Sequence, residues 1–455
     1  MSRYRRRGIS FGSVFMLLLT ILVAGGCVVV LPKLAGNMNQ RIDAQQLADV
    51  ITSSLDLPQL SLSDIPIFPQ TSKSDHETAA PAGYDTRETI GVAGTGGTLV
   101  PTATPEPEKR TFTLAAGGTL SFDSGIRKAA YHNESKTYDF GRFLSEVSSE
   151  FDTDIALATL ENTMVEDAKL NDINITKDVL RDLVPSGIDM LSLGHEHILD
   201  QGLDGLIETT SAVRMAGFSV LGVKTEREDA QNPLIVNIRG IQVAFLHYTD
   251  VVSNAGKKAI KAEDSAFALP QYDPQTMVED IQAARSQGTQ VVIVMMHWGS
   301  DNQSKVTVAM TKEAQAIADA GADIILGAHG QAVLPIAYLT GSRPDGTKRP
   351  TLVCYSLGAL LTSSRDTPDV AGMLLKLQIT FDPVADRVSF DRVQYVPTYI
   401  WRYKESGKYV YQVVASDKTV PEAMEKNQKD AMIKALDRIN KLLADSPAKR
   451  IIREN

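Results

Sequence analysis

The sequence predicts an α/β domain placed behind a membrane anchor and a flexible linker. Three observations support this prediction: an uncharged N-terminal run, a following stretch rich in Ser, Thr, Pro and Gly, and a long region of alternating strand and helix patterns. The chain has 455 residues, 43% of them hydrophobic, which is enough to bury a large core. Its formal net charge of -9 argues against nucleic acid as a partner, because nucleic-acid-binding proteins usually present a basic surface.

The N-terminus has the features of a single membrane span. Residues 1–8 form a basic tail with four arginines, and no charge lies between Gly8 and Pro32. We therefore predict a transmembrane anchor over residues 9–33, because about 20 apolar residues cross a bilayer as a helix. The arginines predict a cytoplasmic N-terminus and an extracellular main domain. A cleaved signal peptide and a lipoprotein site at Cys27 are competing interpretations, but the apolar run exceeds a usual signal sequence and continues past Cys27.

Residues 34–110 are predicted to form an extracytoplasmic stalk and disordered linker. A short helix fits residues 35–57, and residues 58–110 then become rich in Ser, Thr, Pro and Gly. Such a composition buries too little apolar surface to fold, so it behaves as a spacer. We expect the linker to hold the next domain away from the membrane.

The main domain is predicted over residues 111–400 from its alternation of strands and helices. Several of its strand patterns are continuous apolar runs, which are typical of strands covered on both faces. The strand patterns cover residues 111–117, 154–161, 189–194, 219–223, 241–249, 290–297, 323–329 and 351–358. The helical patterns between them cover residues 176–187, 202–217, 273–288 and 311–321. This alternation indicates an α/β fold with a largely central sheet.

The end of the chain predicts a hairpin and a helix. Residues 374–382 and 387–396 alternate with period two, which predicts an antiparallel hairpin that completes the domain. Residues 401–455 are predicted to be a helical segment that packs on the domain. Its apolar positions at helical spacing are Met432, Leu436, Ile439 and Leu443.

Polar side chains follow four of the predicted strands. They are Glu161 and Asn162, then His195, Glu196 and His197, then His297 and Asp301, and finally His329. In open α/β sheets the ligand site lies beyond the carboxyl ends of the strands. We therefore expect six of these side chains to face one cleft: Glu161, His195, Glu196, His197, His297 and His329. A histidine taken alone is more often a hydrogen-bonded structural residue than a ligand, and the joint occurrence is what favours a metal. Nitrogen and oxygen ligands together suit Mn, Fe or Zn.

Several motifs, in their order, resemble the CapA-type poly-γ-glutamate capsule-synthesis proteins, whose fold is related to the calcineurin-like metallophosphatases. They include "LATLENTM" at 157–164, "HWG" at 297–299, "GAH" at 327–329 and "YSLG" at 355–358. The resemblance covers about residues 111–361 and implies a four-layer α/β/β/α sandwich. The sequence departs from the family pattern at three places. The usual Gly-Asp after the first strand is Gly117-Gly118, and the usual Asn-Asn-His is His195-Glu196-His197. The usual Gly-His-x-His is replaced by residues 327–331, which keep only part of the histidine pair.

The resemblance and the strand-end positions together give a set of candidate site residues. The predicted metal ligands are Glu161, His195, His197, His297 and His329. His297 and Glu196 are the predicted general acid or base. The predicted substrate-binding residues are Asn162, Asp200, Asp301 and Gln331. Because the family's Asp is missing at Gly118, two alternatives stay open: the ligand set has been rebuilt with His195 and Glu196, or the site has become a binding pocket without metal.

Two classes of function follow. The first is a single-pass protein of the cell membrane whose extracellular domain takes part in synthesis or export of a capsule or cell-envelope polymer resembling poly-γ-glutamate. Its expected partners are the membrane, capsule-synthesis membrane proteins and an anionic polymer. The alternative is a metal-dependent hydrolase of the phosphoesterase type at the cell surface, in which a metal lowers the pKa of its bound water.

Overall fold

A computed structural model describes residues 107–227, 233–342, 346–366, 370–415 and 420–451. The chain divides into two units, Met1–Val100 and Pro101–Asn455, and every described residue belongs to the second. The predicted tail, the predicted anchor and the predicted linker as far as residue 106 lie outside the described residues. Among the helices of the described ranges, none combines the length and the apolar character needed to cross a membrane.

The described strands and helices alternate much as the sequence predicts. The strands are β1 (Arg110–Leu120), β2 (Tyr131–His132), β3 (Thr137–Tyr138), β4 (Ile155–Leu160), β5 (Met190–Ser192), β6 (Ser219–Leu221), β7 (Leu234–Ile238), β8 (Ile241–Thr249), β9 (Val291–Trp298), β10 (Ile324–His329), β11 (Ile336–Ser342), β12 (Lys348–Cys354), β13 (Ala359–Leu361), β14 (Ala371–Asp382), β15 (Arg387–Glu405), β16 (Lys408–Ala415) and β17 (Lys449–Arg450). The helices are α1 (Ser124–Ala130), α2 (Asp178–Leu183), α3 (Gly202–Met215), α4 (Asn254–Ala259), α5 (Ala262–Ala268), α6 (Pro274–Ser286), α7 (Val308–Ala320) and α8 (Lys426–Leu442).

Two mixed sheets organise the domain. The first has the order β16-β15-β14-β1-β4-β5-β6, with β13 added beside β1 and β17 beside β15. The second has the order β11-β12-β10-β9-β8-β7. Strands β1, β4, β5 and β6 run parallel to one another, and so do β8, β9, β10 and β12. The predicted hairpin is present, because β14 and β15 pair antiparallel from Ala371 to Asp382.

The two sheets pack face to face between layers of helices. One buried cluster joins Leu114 and Leu157 of the first sheet to Phe245 and Ile293 of the second. A second cluster covers the outer face of the first sheet and includes residues of α2 and α3. A third packs α6 and α7 on the outer face of the second sheet. The layers therefore follow the order helix, sheet, sheet, helix, and the prediction of a mixed α/β fold is confirmed.

The C-terminal part of the chain differs from its prediction. The predicted boundary at residue 400 falls inside β15, and residues 401–455 also contribute β16 and β17 to the first sheet. The predicted helix is present as α8, where Met432, Leu436 and Ile439 are buried. The helical spacing of those residues described only the last part of the segment, because the strand pattern of the hairpin continues past residue 400.

Candidate metal centre

Three of the predicted ligands meet at the carboxyl ends of the parallel strands. Glu161 directly follows β4, His297 lies near the end of β9, and His329 is the last residue of β10. One potential ligand atom from each lies within 4.8 Å of the other two. The Nδ1 atom of His297 is 3.9 Å from Oε1 of Glu161, and the two imidazole rings have centroids 4.5 Å apart. A carboxylate of the first sheet thus faces two imidazoles of the second.

The atoms in this group have few protein partners. His297 is fully buried, and among the described residues neither of its ring nitrogens has a hydrogen-bond partner. The same holds for Oε1 of Glu161. A buried polar atom left without a partner costs about 1–3 kcal/mol, so native proteins rarely leave several together. A bound cation would satisfy all of these atoms at once.

The protonation states also fit a cation. Burial, with smaller contributions from His329 and His195, holds the pKa of His297 well below its usual range, so its imidazole is neutral and has a lone pair to donate. Burial raises the pKa of Glu161 to about 8, and the charges of Glu196 and Asp301 act in the same direction. A positive ion beside Glu161 would favour its ionised form. Two imidazoles and one carboxylate suit Mn, Fe or Zn.

The backbone at His329 is strained. His329 has φ of 85° and Gln331 has φ of 52°, both in the left-handed region that residues other than glycine rarely adopt. Each such residue costs on the order of 1–3 kcal/mol and persists only where the surroundings hold it. Here the backbone N–H of Ala359 donates to the carbonyl of Gln331 at 2.8 Å. Strain of this kind concentrates at binding sites, which agrees with a functional position for His329.

His197, also predicted as a ligand, is not among the three residues whose potential ligand atoms converge. Its Nδ1 lies 2.8 Å from Oδ2 of Asp200, and its Nε2 lies 2.9 Å from Oε1 of Glu196. These two carboxylates, Asp200 first, raise the pKa of His197 to about 10. The ring is therefore an imidazolium with a proton on each nitrogen and no lone pair for a metal. Asp200, predicted to bind substrate, also accepts a hydrogen bond from Ser253 and thus holds His197 in place.

His195 is also outside the ligand group. It is fully buried, and its Nδ1 accepts a hydrogen bond of 3.3 Å from the backbone N–H of His197. Burial lowers the pKa of His195 to about 3, so the ring is neutral. Its Nε2 has no hydrogen-bond partner among the described residues, but the group of converging ligand atoms is formed by Glu161, His297 and His329.

Glu196 lies at the border of the centre. Its Oε2 atom is 4.0 Å from Nε2 of His329, while its other oxygen accepts from His197. The hydrogen bond from His197 is the main cause that lowers the pKa of Glu196, so the side chain is a carboxylate at neutral pH. Glu196 can therefore act as a fourth ligand or as a proton acceptor, but not as a proton donor.

The other predicted substrate-binding residues occupy different environments. Asn162 is fully buried, and its amide accepts from the backbone of Phe122 at 2.8 Å and donates to the carbonyls of Asp172 and Ile173 at 3.2 Å. It fastens two loops together and has no exposed atom for a substrate, which corrects that prediction. Asp301 is exposed in the turn after β9, and Gln331 is partly buried in the loop after β10.

The glycine that replaces the family's aspartate has no room for a side chain. A Cβ atom on Gly118 would lie 1.9 Å from the carbonyl oxygen of Gly358. The same carbonyl accepts a hydrogen bond of 3.0 Å from the backbone N–H of Thr119, which holds the two segments in contact. An aspartate at this position would require the segment of Gly358 to move. The packing of β1 against the segment of Gly358 therefore leaves no room for an acidic side chain at position 118.

Two residues beside the centre received no role from the sequence. His247 is 5% exposed, and its ring occupies the space beside Gly194, where a Cβ would lie 2.3 Å from the imidazole. Asp250 follows β8, and its carboxylate accepts a hydrogen bond of 3.4 Å from the backbone of Gly299. Only the place of these two residues in the sequence could have indicated them, because both lie at the carboxyl end of β8, next to β9.

The residues that form this centre lie in a part of the chain that matches a known protein family. Residues 113–364, more than half of the chain, match the family described as bacterial capsule synthesis protein PGA_cap. The chain therefore belongs to this family. Glu161, His297 and His329 all lie within the matched residues, whereas α8 lies beyond them.

Two CapA proteins from Bacillus species are similar to this chain in sequence. The capsule biosynthesis protein CapA of Bacillus anthracis is 27% identical over 186 residues, which is 40% of this chain and 44% of that protein. The PGA biosynthesis protein CapA of Bacillus subtilis (strain 168) is 26% identical over 187 residues, which is 41% of this chain and 46% of that protein. The chain thus matches less than half the length of these two relatives.

Two of the solved structures that align with this chain have TM-scores below 0.5. The NAD nucleotidase of Haemophilus influenzae aligns with a TM-score of 0.40 at 13% identity, over 76% of this chain and 58% of that one. The calcineurin-like phosphoesterase YfkN of Bacillus subtilis aligns with a TM-score of 0.34 at 12% identity, over 73% of this chain and 100% of that one.

Proposed function

We propose that this protein takes part in the synthesis or export of a capsule or cell-envelope polymer resembling poly-γ-glutamate. The observation that carries the proposal is the family match over residues 113–364, which contains the strand ends that form the candidate centre. The polymer is anionic, and the protein acts on it outside the cell together with capsule-synthesis membrane proteins.

Within this function, Glu161, His297 and His329 would hold a divalent transition metal. A metal so bound supplies a Lewis acid that polarises a ligand's oxygen and lowers the pKa of bound water. Glu196 is the residue placed to accept a proton, because it is ionised and lies beside His329. His297 is a poor general acid, because its buried ring is neutral at physiological pH. The His197 imidazolium orients Glu196 by donating to its Oε1.

The proposal is tested in cells that make poly-γ-glutamate but lack their own CapA-type protein. Expression of the full chain should restore cell-associated polymer, and a His297→Ala, His329→Ala variant made at the same level should restore much less. A chain that restores nothing, and also binds no glutamate polymer when purified, contradicts the proposal.

A second candidate function is that of a metal-dependent phosphoesterase. The observation that favours it is the group of Glu161, His297 and His329, whose potential ligand atoms lie within 4.8 Å of one another. The purified full chain, supplied with Mn²⁺, should then hydrolyse an aryl phosphomonoester or phosphodiester, and the variant lacking both histidines should not. Equal rates for the two proteins would assign the hydrolysis to a contaminant and remove this candidate.

We also propose that residues 9–33 anchor the protein in the cell membrane, with the main domain outside. The support is the uncharged run that follows four arginines. Protease added to intact, wall-stripped cells should digest the main domain while the N-terminus stays protected. A protected main domain would reverse the orientation, and a mature chain that starts near Cys27 would identify a cleaved leader instead.

A further inference from the structure

We propose that the hydroxyl group of Thr119 holds the Glu161 carboxylate towards the metal at the candidate centre. Strand β1 has no acidic side chain at Gly118, and Thr119 is the next residue along this strand. The inference rests on the metal centre of the proposed function and adds a residue that the sequence did not indicate. Thr119 is a positioning residue, because it acts on the metal through Glu161.

An extra residue in β1 turns Thr119 towards the second sheet. In the parallel pairing of β1 with β4, Ala116 lies opposite Leu157. Thr119 lies opposite Thr159, so three steps along β1 correspond to two steps along β4. A bulge of this kind redirects the side chains around it and is frequent next to active sites. Thr119 therefore takes the position opposite Thr159 that residue 118 would have in an unbroken strand.

Thr119 lies on the sheet face that carries the centre. Ala116 belongs to the buried cluster between the two sheets, whereas Leu120 belongs to the cluster on the outer face of the first sheet. Because side chains alternate along a strand, Thr119 points into the space between the sheets. Glu161 points into the same space, since its Oε1 lies 3.9 Å from Nδ1 of His297 in the second sheet.

The backbone fixes Thr119 beside Glu161. The backbone N–H of Glu161 donates to the carbonyl of Leu120, the residue after Thr119, at 2.9 Å. The backbone N–H of Thr119 in turn donates to the carbonyl of Gly358 at 3.0 Å. Burial is the main cause that raises the pKa of Glu161 to about 8, and the Thr119 hydroxyl acts in the opposite direction, as a nearby donor does. The two side chains are therefore neighbours at the ends of their strands.

The Thr119 hydroxyl is buried and available to donate. Thr119 is 2% exposed, and its Oγ1 has no hydrogen-bond partner in the described part of the chain, as is also true of Oε1 of Glu161. A cation would favour the ionised form of Glu161, and a carboxylate accepts a stronger hydrogen bond than a neutral carboxyl group does. Metal binding would thus give the hydroxyl its acceptor, and the hydrogen bond would fix the orientation of the ligand.

Other buried threonines show what is particular to this position. Thr351 is 1% exposed, and its hydroxyl donates to the carbonyl of Ala322 at 2.7 Å. Thr210 in α3 is fully buried, and its hydroxyl, like that of Thr119, has no partner among the described residues. An unpaired hydroxyl by itself therefore indicates no function. The position beside Glu161 is what assigns one to Thr119, and Thr210 provides a matched control.

The test compares the Zn²⁺ affinity of the purified full chain with that of three variants, by competition with a metal-sensitive dye. Thr119→Val removes the hydroxyl but keeps the shape of the side chain. It should bind Zn²⁺ about tenfold or more weakly, because loss of a group that orients a ligand has an effect of this size. Thr119→Ser keeps the hydroxyl and should stay within about threefold of wild type. Thr210→Val should stay within about twofold, since distant sites act independently.

Thermal unfolding of the metal-free proteins distinguishes positioning from a structural role. Valine removes a buried hydroxyl that has no partner, so metal-free Thr119→Val should unfold at the wild-type temperature or above it. A Thr119→Val protein that binds Zn²⁺ weakly and also unfolds at a lower temperature would show that Thr119 supports the fold and not the ligand, which overturns the inference.

The remaining outcomes separate this inference from the metal centre itself. If wild type binds Zn²⁺ and Thr119→Val binds it equally well, the role of Thr119 is wrong and the centre stands. If Thr119→Ser binds as weakly as Thr119→Val, the hydroxyl is not the cause and the inference is wrong as well. If wild type binds no transition metal, the metal centre of the proposed function fails, and the role of Thr119 fails with it.

Discussion

The two groups of histidines in this protein have opposite surroundings. His297 and His329, at the ends of β9 and β10, face each other and Glu161, and neither nitrogen of His297 has a described partner. His197, in the loop after β5, has a carboxylate on each ring nitrogen. His297 has a lone pair to donate to a metal, whereas His197 has two protons to donate to its neighbours.

This difference shows that the partner of a histidine, and not its place at a strand end, decides its role. Asp200 and Glu196 turn His197 into a fixed cation, whose proposed task is to orient Glu196. Burial without a partner keeps His297 neutral. The same side chain therefore serves as a candidate ligand in one sheet and as part of a charged network in the other.

The largest expected effect tests the first group directly. Replacing both His297 and His329 with alanine should weaken metal binding by about a thousandfold or more, because two of three ligands are removed. The metal content of purified full-length protein, measured by elemental analysis, should fall from near one ion per chain to near zero. His132→Ala is the control, since His132 is exposed and distant in sequence from the centre. A double variant that keeps its metal would remove the centre from this position.

The next effect concerns the position that lacks the family's aspartate. Gly118→Asp should destabilise the fold by about 3 kcal/mol, because its Cβ would overlap the carbonyl of Gly358. It should not increase the number of bound ions. Gly141→Ala is a matched control, because its nearest neighbour would be Asp139 Oδ1 at 3.5 Å. Thermal unfolding and elemental analysis measure the two quantities, and an added ion in a stable Gly118→Asp protein would show that the segment of Gly358 can yield.

A smaller effect is expected for the second group. His197→Ala should cost about 2 kcal/mol of stability, since Glu196 and Asp200 lose their shared cationic partner. The metal content should stay at the wild-type level. Adding Asp200→Asn to this variant should cause less further loss than Asp200→Asn causes alone, because the two side chains interact. Loss of metal from His197→Ala as complete as in the double histidine variant would show that His197 is a ligand after all.

The smallest effect is expected at the border of the centre. Asp301 is exposed and influences Glu161 only through its charge. Asp301→Asn should therefore change metal affinity by less than about threefold, since exposed charges are screened. Competition with a metal-sensitive dye measures this change. A loss of more than about tenfold would instead place Asp301 among the ligands.

The sequence alone determined most of the architecture. The apolar runs of β8, β9 and β10 and the helical spacing of α6 and α7 predicted an α/β domain, because hydrophobic periodicity reflects which faces are covered. The position of Glu161, His297 and His329 after separate strands also predicted their meeting, since parallel strands end at a common edge. The sequence did not predict that β15 continues past residue 400, because residues 401–455 contain both a strand pattern and a helix pattern.

Only the tertiary structure decided which of the strand-end side chains come together in the candidate centre. Glu196 and Asp200 share the protons of His197, and Ser253 from another segment donates to Asp200, none of which the spacing in the sequence shows. The close approach of Gly118 to Gly358 likewise joins residues 240 positions apart. Hydrogen bonds, close packing and burial depend on three-dimensional neighbours, whereas periodicity depends on the chain alone.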